Sequence, residues 1–588
     1  MPAIEHTRIA LRYDTSILKI GLLRGGRGTW QDPVAMVLVL GVIVLLGIGA
    51  RQMIAPFAPA HQTPISLSPA ALPLYTLRTV LRMLLAMIAS LIFTFTYATL
   101  AAKSRRAGAI LIPILDVLQS VPILGYLSFT VVFFIGLFPG KMLGPELAAI
   151  FAIFTSQAWN MAFSFYQALR TIPTDVDEAS RSFRCSAWQR FWRLEVPFAM
   201  PGLIWNMMMS MSGGWFFVVA SEAISVGDLQ IALPGVGSYV ALAIQERDLA
   251  AVGFAIVAMT IAILLYDQLL FRPMVAWADK FRFEQTAAQV TPRSWLLDLF
   301  RRSHRVQRAI EPVASALQRV ARQRLAVPWK AGPFGVRPLP PRLLDVAWYG
   351  TFAGATIYVG IALVEMARAA LSWDEVLVAV DNGALTLLRV AILIAVASLI
   401  WVPIGVAVGL RPKLTEKIQP LAQFFAAFPA NLLFPIAVAL IVRFGLNPKI
   451  WLSPLMILGT QWYILFNVIA GASVFPSDLR EAAASFRIRP WRWWRKVMLP
   501  GIFPYYVTGA ITASGGAWNA SIVSEAVSWG ETRLNASGLG AYIAQMTESG
   551  DYPRIALGIA VMSAMVIAMN RLLWRPLYAF AERRTRLD

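Results

Sequence analysis

Cysteine and histidine are almost missing from these 588 residues, and charge is scarce. A single cysteine, Cys185, excludes an intrachain disulfide. The three histidines, His6, His61 and His304, lie far apart in sequence, and no cluster with metal-ligand spacing accompanies them. A glycine-rich phosphate loop of the form GxxxxGK followed by Ser or Thr is absent, so the chain does not hold ATP through that motif. No catalytic constellation is visible. Charged residues make up 14% of the chain and hydrophobic ones 58%, against roughly 25% charge in an ordinary soluble domain.

Long apolar runs fill the space that charge leaves. Many exceed the roughly 18 residues that mark a membrane-crossing helix. Twelve crossings are expected, at about 33–55, 74–101, 108–136, 145–169, 195–225, 249–272, 344–371, 377–410, 418–443, 451–472, 498–528 and 554–574. The run Val34–Ala50 follows a basic start, and that start is too long for a signal peptide, so it reads as a retained first helix. The net charge of +20 has two readings, a nucleic-acid face or basic cytoplasmic loops. The loops decide for the second. Lys103, Arg105 and Arg106, then Arg181, Arg184, Arg190 and Arg193, then Arg411, Lys413 and Lys417, then Arg487, Arg489, Arg492, Arg495 and Lys496 fall in alternate loops. The loop 57–73 has no Lys or Arg, and 373–376 carries Asp374 and Glu375. Both termini and all even loops are therefore expected in the cytoplasm.

The chain also repeats itself. DVDEASRSFRCSAWQRFWRLEVP (175–197) returns as DLREAAASFRIRPWRWWRKVMLP (478–500), a shift of 303. At that shift Trp159 matches Trp462, Trp215 matches Trp518, Ser221–Glu222–Ala223 matches Ser524–Glu525–Ala526, and Gly235, Gly237 and Tyr239 match Gly538, Gly540 and Tyr542. Upstream the shift is 307, pairing Arg82 with Arg389 and Pro122 with Pro429. The expected fold is all-α and polytopic: two parallel six-helix repeats, 33–278 and 343–582, related by a pseudo-twofold along the membrane normal. Residues 1–32 and 583–588 are cytoplasmic ends. The linker 279–342 carries thirteen Lys or Arg against four Asp or Glu. Its stretches 295–300 and 310–325 read either as surface helices on anionic lipid or as a solvated basic connection.

The twice-stated polar segment reads as a short amphipathic helix at 174–193 and again at 477–496. Thr174 or Ser477 supplies an N-cap, with Asp175, Asp177 or Asp478 in the first turn. Ala179, Phe183, Ala187 and Phe191 recur every four residues as an apolar stripe, kept in the second copy by Ala482, Phe486 and Trp494. Taken alone, such a helix merely anchors two spans; its recurrence at the same place in both repeats argues for a role.

EASRSFRCSAWQRFWRLEVP and EAAASFRIRPWRWWRKVMLP resemble the EAA loop of permease subunits of bacterial ATP-binding-cassette importers. GGWFFVVASEA (213–223), GAWNASIVSEA (516–526), GVGSYV (235–240) and GLGAYI (538–543) resemble that family's nitrate, sulfonate and bicarbonate branch. The resemblance implies a fused, duplicated permease in a bacterial inner membrane that moves a small anion inward by alternating access. It implies coupling helices that dock on two copies of a cytoplasmic ATPase, which holds the ATP and Mg, while this chain carries no cofactor. It leaves open an extracytoplasmic solute-binding protein; membrane lipid is the other partner, and nucleic acid is not one. Carried onto this chain, the coupling residues are Asp175, Glu178, Ala179, Phe183 and Arg184, with Asp478, Glu481, Ala482, Phe486 and Arg487. One departure stands out: the family usually has Gly six residues after the Glu, where Arg184 and Arg487 stand. That change predicts a straighter helix or an altered docking surface.

Candidates for the substrate pathway are the polar, small and aromatic residues of the middle spans: Gln157, Trp159, Gly213, Trp215 and Glu222, with Gln461, Trp462, Gly516, Trp518, Asn519 and Glu525. Helix packing is the ordinary alternative for most of them. Glu222 and Glu525 either organise a gate or pair with arginines such as Arg82 and Arg389. A different class also fits the outline, since an ion-coupled secondary transporter has twelve spans in two halves joined by a basic linker. Such a transporter has no partner for the duplicated loop.

Overall fold

The computed structural model describes residues 31–53, 65–227, 229–281, 294–324, 341–473, 475 and 477–585. They are almost entirely helical. The chain begins with α1 (Gln31–Met53) and α2 (Leu72–Lys103), then α3 (Arg105–Leu118) and α4 (Ile123–Leu137), then α5 (Leu143–Arg170). Two short helices follow, α6 (Thr174–Ser182) and α7 (Ala187–Arg190), and α7 runs through a π-helical turn at Phe191–Glu195 into α8 (Val196–Glu222). A small hairpin, β1 (Ala223–Val226) and β2 (Leu229–Ala232), leads to α9 (Val236–Gln245) and α10 (Leu249–Tyr266). A second π turn at Asp267–Phe271 ends in α11 (Arg272–Ala278).

The linker holds α12 (Trp295–Arg302) and α13 (His304–Arg322). Beyond it lie α14 (Pro341–Ala370), α15 (Trp373–Gly409), α16 (Pro412–Ala427), α17 (Phe434–Arg443), α18 (Pro448–Trp451), α19 (Gln461–Ser473), α20 (Ser477–Ser485), α21 (Pro490–Trp493) and α22 (Leu499–Ser524). The chain closes with the hairpin β3 (Ala526–Trp529) and β4 (Thr532–Asn535), then α23 (Leu539–Ser549), α24 (Tyr552–Met569) and α25 (Arg575–Thr585). The 303-residue repeat is geometric as well as sequential. Both hairpins, α9 and α23, α10 and α24, and the π turns Phe191–Glu195 with Trp494–Met498 and Asp267–Phe271 with Asn570–Trp574 begin at that offset.

Three expected crossings are not straight. α3 and α4 meet at 104° and α16 meets the 430–443 segment at 71°, while 448–456 and α19 meet at 42°. The first two breaks sit at Pro122 and Pro429, which have no N–H to give the helix and hold the residue before them out of the α region. Among the described residues, six helices are long and apolar enough to cross a membrane, or nine if each bent pair is one crossing. α1, α14 and α22, of 23, 30 and 26 residues, lie at the three other expected crossings and are not among these nine, so twelve crossings are not all matched among the described residues. Apolar side chains face outward, as with Leu399 on α15 (77% exposed) and Leu572 in the π turn Asn570–Trp574 (80%), the inverse of a soluble surface.

The chain divides into two compact units. One comprises 1–48, 163–208 and 265–340, and the other 49–162, 209–264 and 341–588. In the smaller unit the linker helix α13 is tied at both ends. Asp32 of α1 accepts from Ser303 Oγ (2.8 Å) and Arg305 N–H (3.2 Å), and Trp188 Nε1 donates to Val320 O (2.7 Å). In the larger unit small residues let helices meet: Gly405 packs on Val468, Gly409 on Ala472, and Gly509 on the Tyr463 carbonyl.

Candidate functional site

Glu222 and Glu525 end their helices, and each is enclosed by the elements around it. Glu222 is fully buried. Its Oε1 accepts from Thr79 Oγ1 and Arg82 Nη1, both at 2.6 Å, and its Oε2 accepts from Gly237 N–H at 2.6 Å. Thr79 Oγ1 in turn accepts from Val236 N–H (3.1 Å). Glu525 has the same partners at the repeat offset. Its Oε1 accepts from Thr386 Oγ1 and Arg389 Nη1 at 2.9 Å, and Gly540 N–H donates to its Oε2 at 2.8 Å. A carboxylate set at the N-terminus of α9 or α23 meets the helix's free N–H groups and its dipole. The glycine pattern follows from that approach. A Cβ at Gly235 or Gly538 would overlap the carboxylate, and one at Gly237 or Gly540 would overlap the preceding helix's backbone. Glu222 and Glu525 are therefore saturated structural pairs in this state, with no free oxygen facing an open path.

The first repeat adds two charges. Glu146, fully buried on α5, accepts from Arg82 Nε (2.6 Å) and Nη2 (2.8 Å) and from Arg78 Nη2 (2.7 Å). Two arginines and two carboxylates balance, as buried charge requires. The second repeat has Leu385 at the position matching Arg78, and one Arg faces one Glu there.

Both polar loops depart from a single helix. In the first, α6 stops at Ser182, Arg184 takes a left-handed conformation (φ 51°), and α7 starts at Ala187 behind a Ser186–Gln189 capping box. In the second, α20 stops at Ser485 and Arg487 has φ 46°. The straighter helix expected from Arg in place of Gly is thus overturned: the turn persists, and Arg carries the left-handed geometry at a cost of about 1–2 kcal/mol. The N-cap expectation fails too, since Pro173 caps α6 without a side-chain bond and Thr174 is the first helical residue. The single apolar stripe breaks as well. Phe191 is buried, whereas Phe183 (72%) and Phe486 (81%) project into the open. Asp175, Glu178, Ala179, Arg184, Glu481, Ala482 and Arg487 are exposed, and the Asp478 side chain lies outside the described residues.

The model of the family described as "Binding-protein-dependent transport system inner membrane component" matches this chain twice, at 86–272 and 401–586, together more than half of it. The chain belongs to this family. Its two matched regions make it a fused permease with one copy in each repeat. It is 29% identical over 186 residues to the bicarbonate transport system permease protein CmpB of Synechococcus elongatus, covering 32% of this chain and 64% of that protein. Over 189 residues it is 24% identical to the nitrate import permease protein NrtB of Leptolyngbya laminosa (32% and 64%). Over 138 residues it is 33% identical to the glycine betaine/proline betaine permease protein ProW of Escherichia coli (23% and 36%). The chain thus spans somewhat under two thirds of the length of the bicarbonate and nitrate permeases it matches.

In this permease the remaining pathway candidates take up varied positions. Trp215 and Trp518 are buried in the packed core at 1% exposure, and Trp518 Nε1 finds no partner among the described residues. Trp462 stacks on Phe425 (4.8 Å) beside Trp401, whose Nε1 donates to Gln461 Oε1 (2.9 Å). Trp159 packs edge-on to Phe93 and Phe154, and Gln157 is buried against Met211 Sδ. Gly516 lies against Thr460, whereas a side chain at Gly213 would meet open space.

Asn519 has a distinct place. Its Oδ1 accepts from Ile123 N–H (2.7 Å), just past the Pro122 break, and Asn431, just past the Pro429 break, donates to Phe216 O (3.1 Å). Phe216 is the repeat counterpart of Asn519. Each repeat's broken helix is thus fastened to the other repeat's long helix. The hairpins do likewise: Gly227 N–H donates to Thr547 O and Gly530 N–H to Ile244 O, residues that also correspond.

Proposed function

We propose that this chain is the membrane permease of an ATP-driven importer that carries a small anion of the bicarbonate or nitrate class inward by alternating access. It sits in a bacterial inner membrane with both termini in the cytoplasm, as two parallel six-crossing halves about a pseudo-twofold along the membrane normal. Two copies of a cytoplasmic ATPase, which bring the ATP and Mg, dock on the loops at 174–193 and 477–496. An extracytoplasmic binding protein delivers the solute.

The observation that carries the reading is the pair of matching loops, each presenting an acidic first helix, a left-handed Arg and an outward phenylalanine, Phe183 or Phe486. A large exposed aromatic beside charged residues is the signature of a surface awaiting a protein partner. The reciprocal bonds from Asn519 and Asn431, and from Gly227 and Gly530, support the pseudo-twofold. The neutralised carboxylates support an anionic cargo, because every buried Glu described above already faces an arginine and does not repel it. Lining of the path falls to Gly213, Asn519 and their neighbours as the fastened breaks at Pro122 and Pro429 open.

The test is the double substitution Glu178→Arg with Glu481→Arg. The variant is expected to insert and purify as a monodisperse chain, yet to lose ATPase association and ATP-dependent uptake. Retention of both would overturn the coupling role.

A further inference from the structure

A groove opens in the second repeat. Its walls are α15, the π turn Trp494–Met498 with the start of α22, and Phe580 of α25, and they border an open space of about 1030 Å³. That is the size of the largest small-molecule pockets. The walls are apolar, with Leu399, Val402, Ile502 and Phe503 among them. Two hydroxyls reach the groove, and they satisfy each other: Ser398 Oγ and Tyr506 OH are 3.0 Å apart, and Ser398 Oγ also donates to Ile394 O. The charged residues of its lining are Arg495 and Lys496. Both are exposed, and among the described residues neither has a carboxylate partner. Trp494 lies beside them, and tryptophan is the residue of membrane–water interfaces.

The residues that line this groove differ between the repeats. At the repeat offsets Leu91 stands for Ser398, Phe95 for Val402 and Leu203 for Tyr506, while Trp192 replaces Arg495 and Arg193 alone matches Lys496. The first repeat is therefore bulkier at the positions of Ser398 and Val402 and smaller at that of Tyr506, and it has one cation where the second has two.

We propose that this groove holds an anionic phospholipid, with an acyl chain along α15 and α22 and its phosphate at Arg495 and Lys496. The charge complement favours this occupant over a neutral lipid, since each Lys or Arg at an anionic membrane surface is worth about a factor of five. Two cations give about a thirtyfold preference. The site joins the second polar loop to α22, so bound lipid braces that loop where it turns into the membrane. The proposal depends on the membrane location of the chain and not on ATP coupling.

The test is native mass spectrometry of the full chain in nanodiscs containing phosphatidylglycerol and phosphatidylcholine in equal amounts. The wild type is expected to retain one phosphatidylglycerol, about thirtyfold over phosphatidylcholine. Arg495→Gln with Lys496→Gln should bring the two lipids to parity. Ser398→Leu with Val402→Phe installs residues that the first repeat already carries at those positions, and should abolish retention. Equal retention of both lipids by the wild type, no retained lipid, or retention unmoved by either variant would overturn the proposal. A crosslink from the groove to the chain's own segment 1–30 would also overturn it, by naming a different occupant. ATPase co-purification from the same samples reads the importer assignment separately.

Discussion

Replacing Glu146 by Gln tests the buried charge balance most sharply. Glu146 accepts three bonds from Arg78 and Arg82, and without its charge two buried guanidiniums share Glu222, which bonds only Arg82. Removing one partner of a buried ion network costs about 3–5 kcal/mol, because a charge is left uncompensated away from water. Unfolding entropy near 2.1 cal/mol/K per residue gives a cooperative body of several hundred residues about 1 °C per kcal/mol. The midpoint of thermal unfolding, followed by tryptophan fluorescence in detergent, is then expected to fall by about 3–5 °C. Adding Arg78→Leu restores neutrality and reproduces the second repeat, where Leu385 stands. That double variant should recover to within about 1 °C of wild type, a coupling that only a double-mutant cycle reveals. A single variant as stable as wild type, or losses that simply add, would refute the charge-balance argument.

Gly237→Ala and Gly540→Ala should each lower the same midpoint by about 2 °C or more, whereas Gly213→Ala, which meets open space, should leave it unchanged or raised. Asn519→Leu strips the acceptor from Ile123 N–H, so hydrogen exchange at that amide should quicken by about tenfold or more; an unchanged rate would mean that the cross-repeat bond contributes nothing. Arg184→Gly with Arg487→Gly relieves two left-handed residues, about 1 kcal/mol each, and should slow exchange in both loops while ATPase binding persists. Loss of binding would assign the two arginines to the docking contact itself.

The repeat was legible because its markers, the SEA triplet and the GxGxY pattern, are short and rigidly spaced. The structure adds the reason: glycine at 235 and 237 is what lets a helix start on the Glu222 carboxylate. Hydropathy hid the hairpins. The crossings expected at 195–225 and 498–528 took in most of the first strand of each hairpin, and the second strands were left unassigned. Pro122 and Pro429 were visible, but a run of apolar residues on both sides made each break look like one straight span. Glu146 could not be placed from sequence, since its arginine partners lie 64 and 68 residues away and the second repeat offers no matching cluster. Arg184 shows the opposite limit. A local steric cost of about 1–2 kcal/mol argued for a straighter helix, and the fixed ends of the loop outweighed it.

The central claim is that this chain is a translocation path worked by a separate ATPase. The measurement that tests it most directly is gentle extraction of the tagged full chain from its own membrane, with mass spectrometry of what accompanies it and uptake assayed under ATP depletion. The account predicts an ATP-binding-cassette ATPase at two copies per permease and uptake that stops without ATP. A chain that arrives alone, with uptake that survives ATP depletion and collapses with the proton gradient, would contradict it and assign the molecule to the ion-coupled transporters.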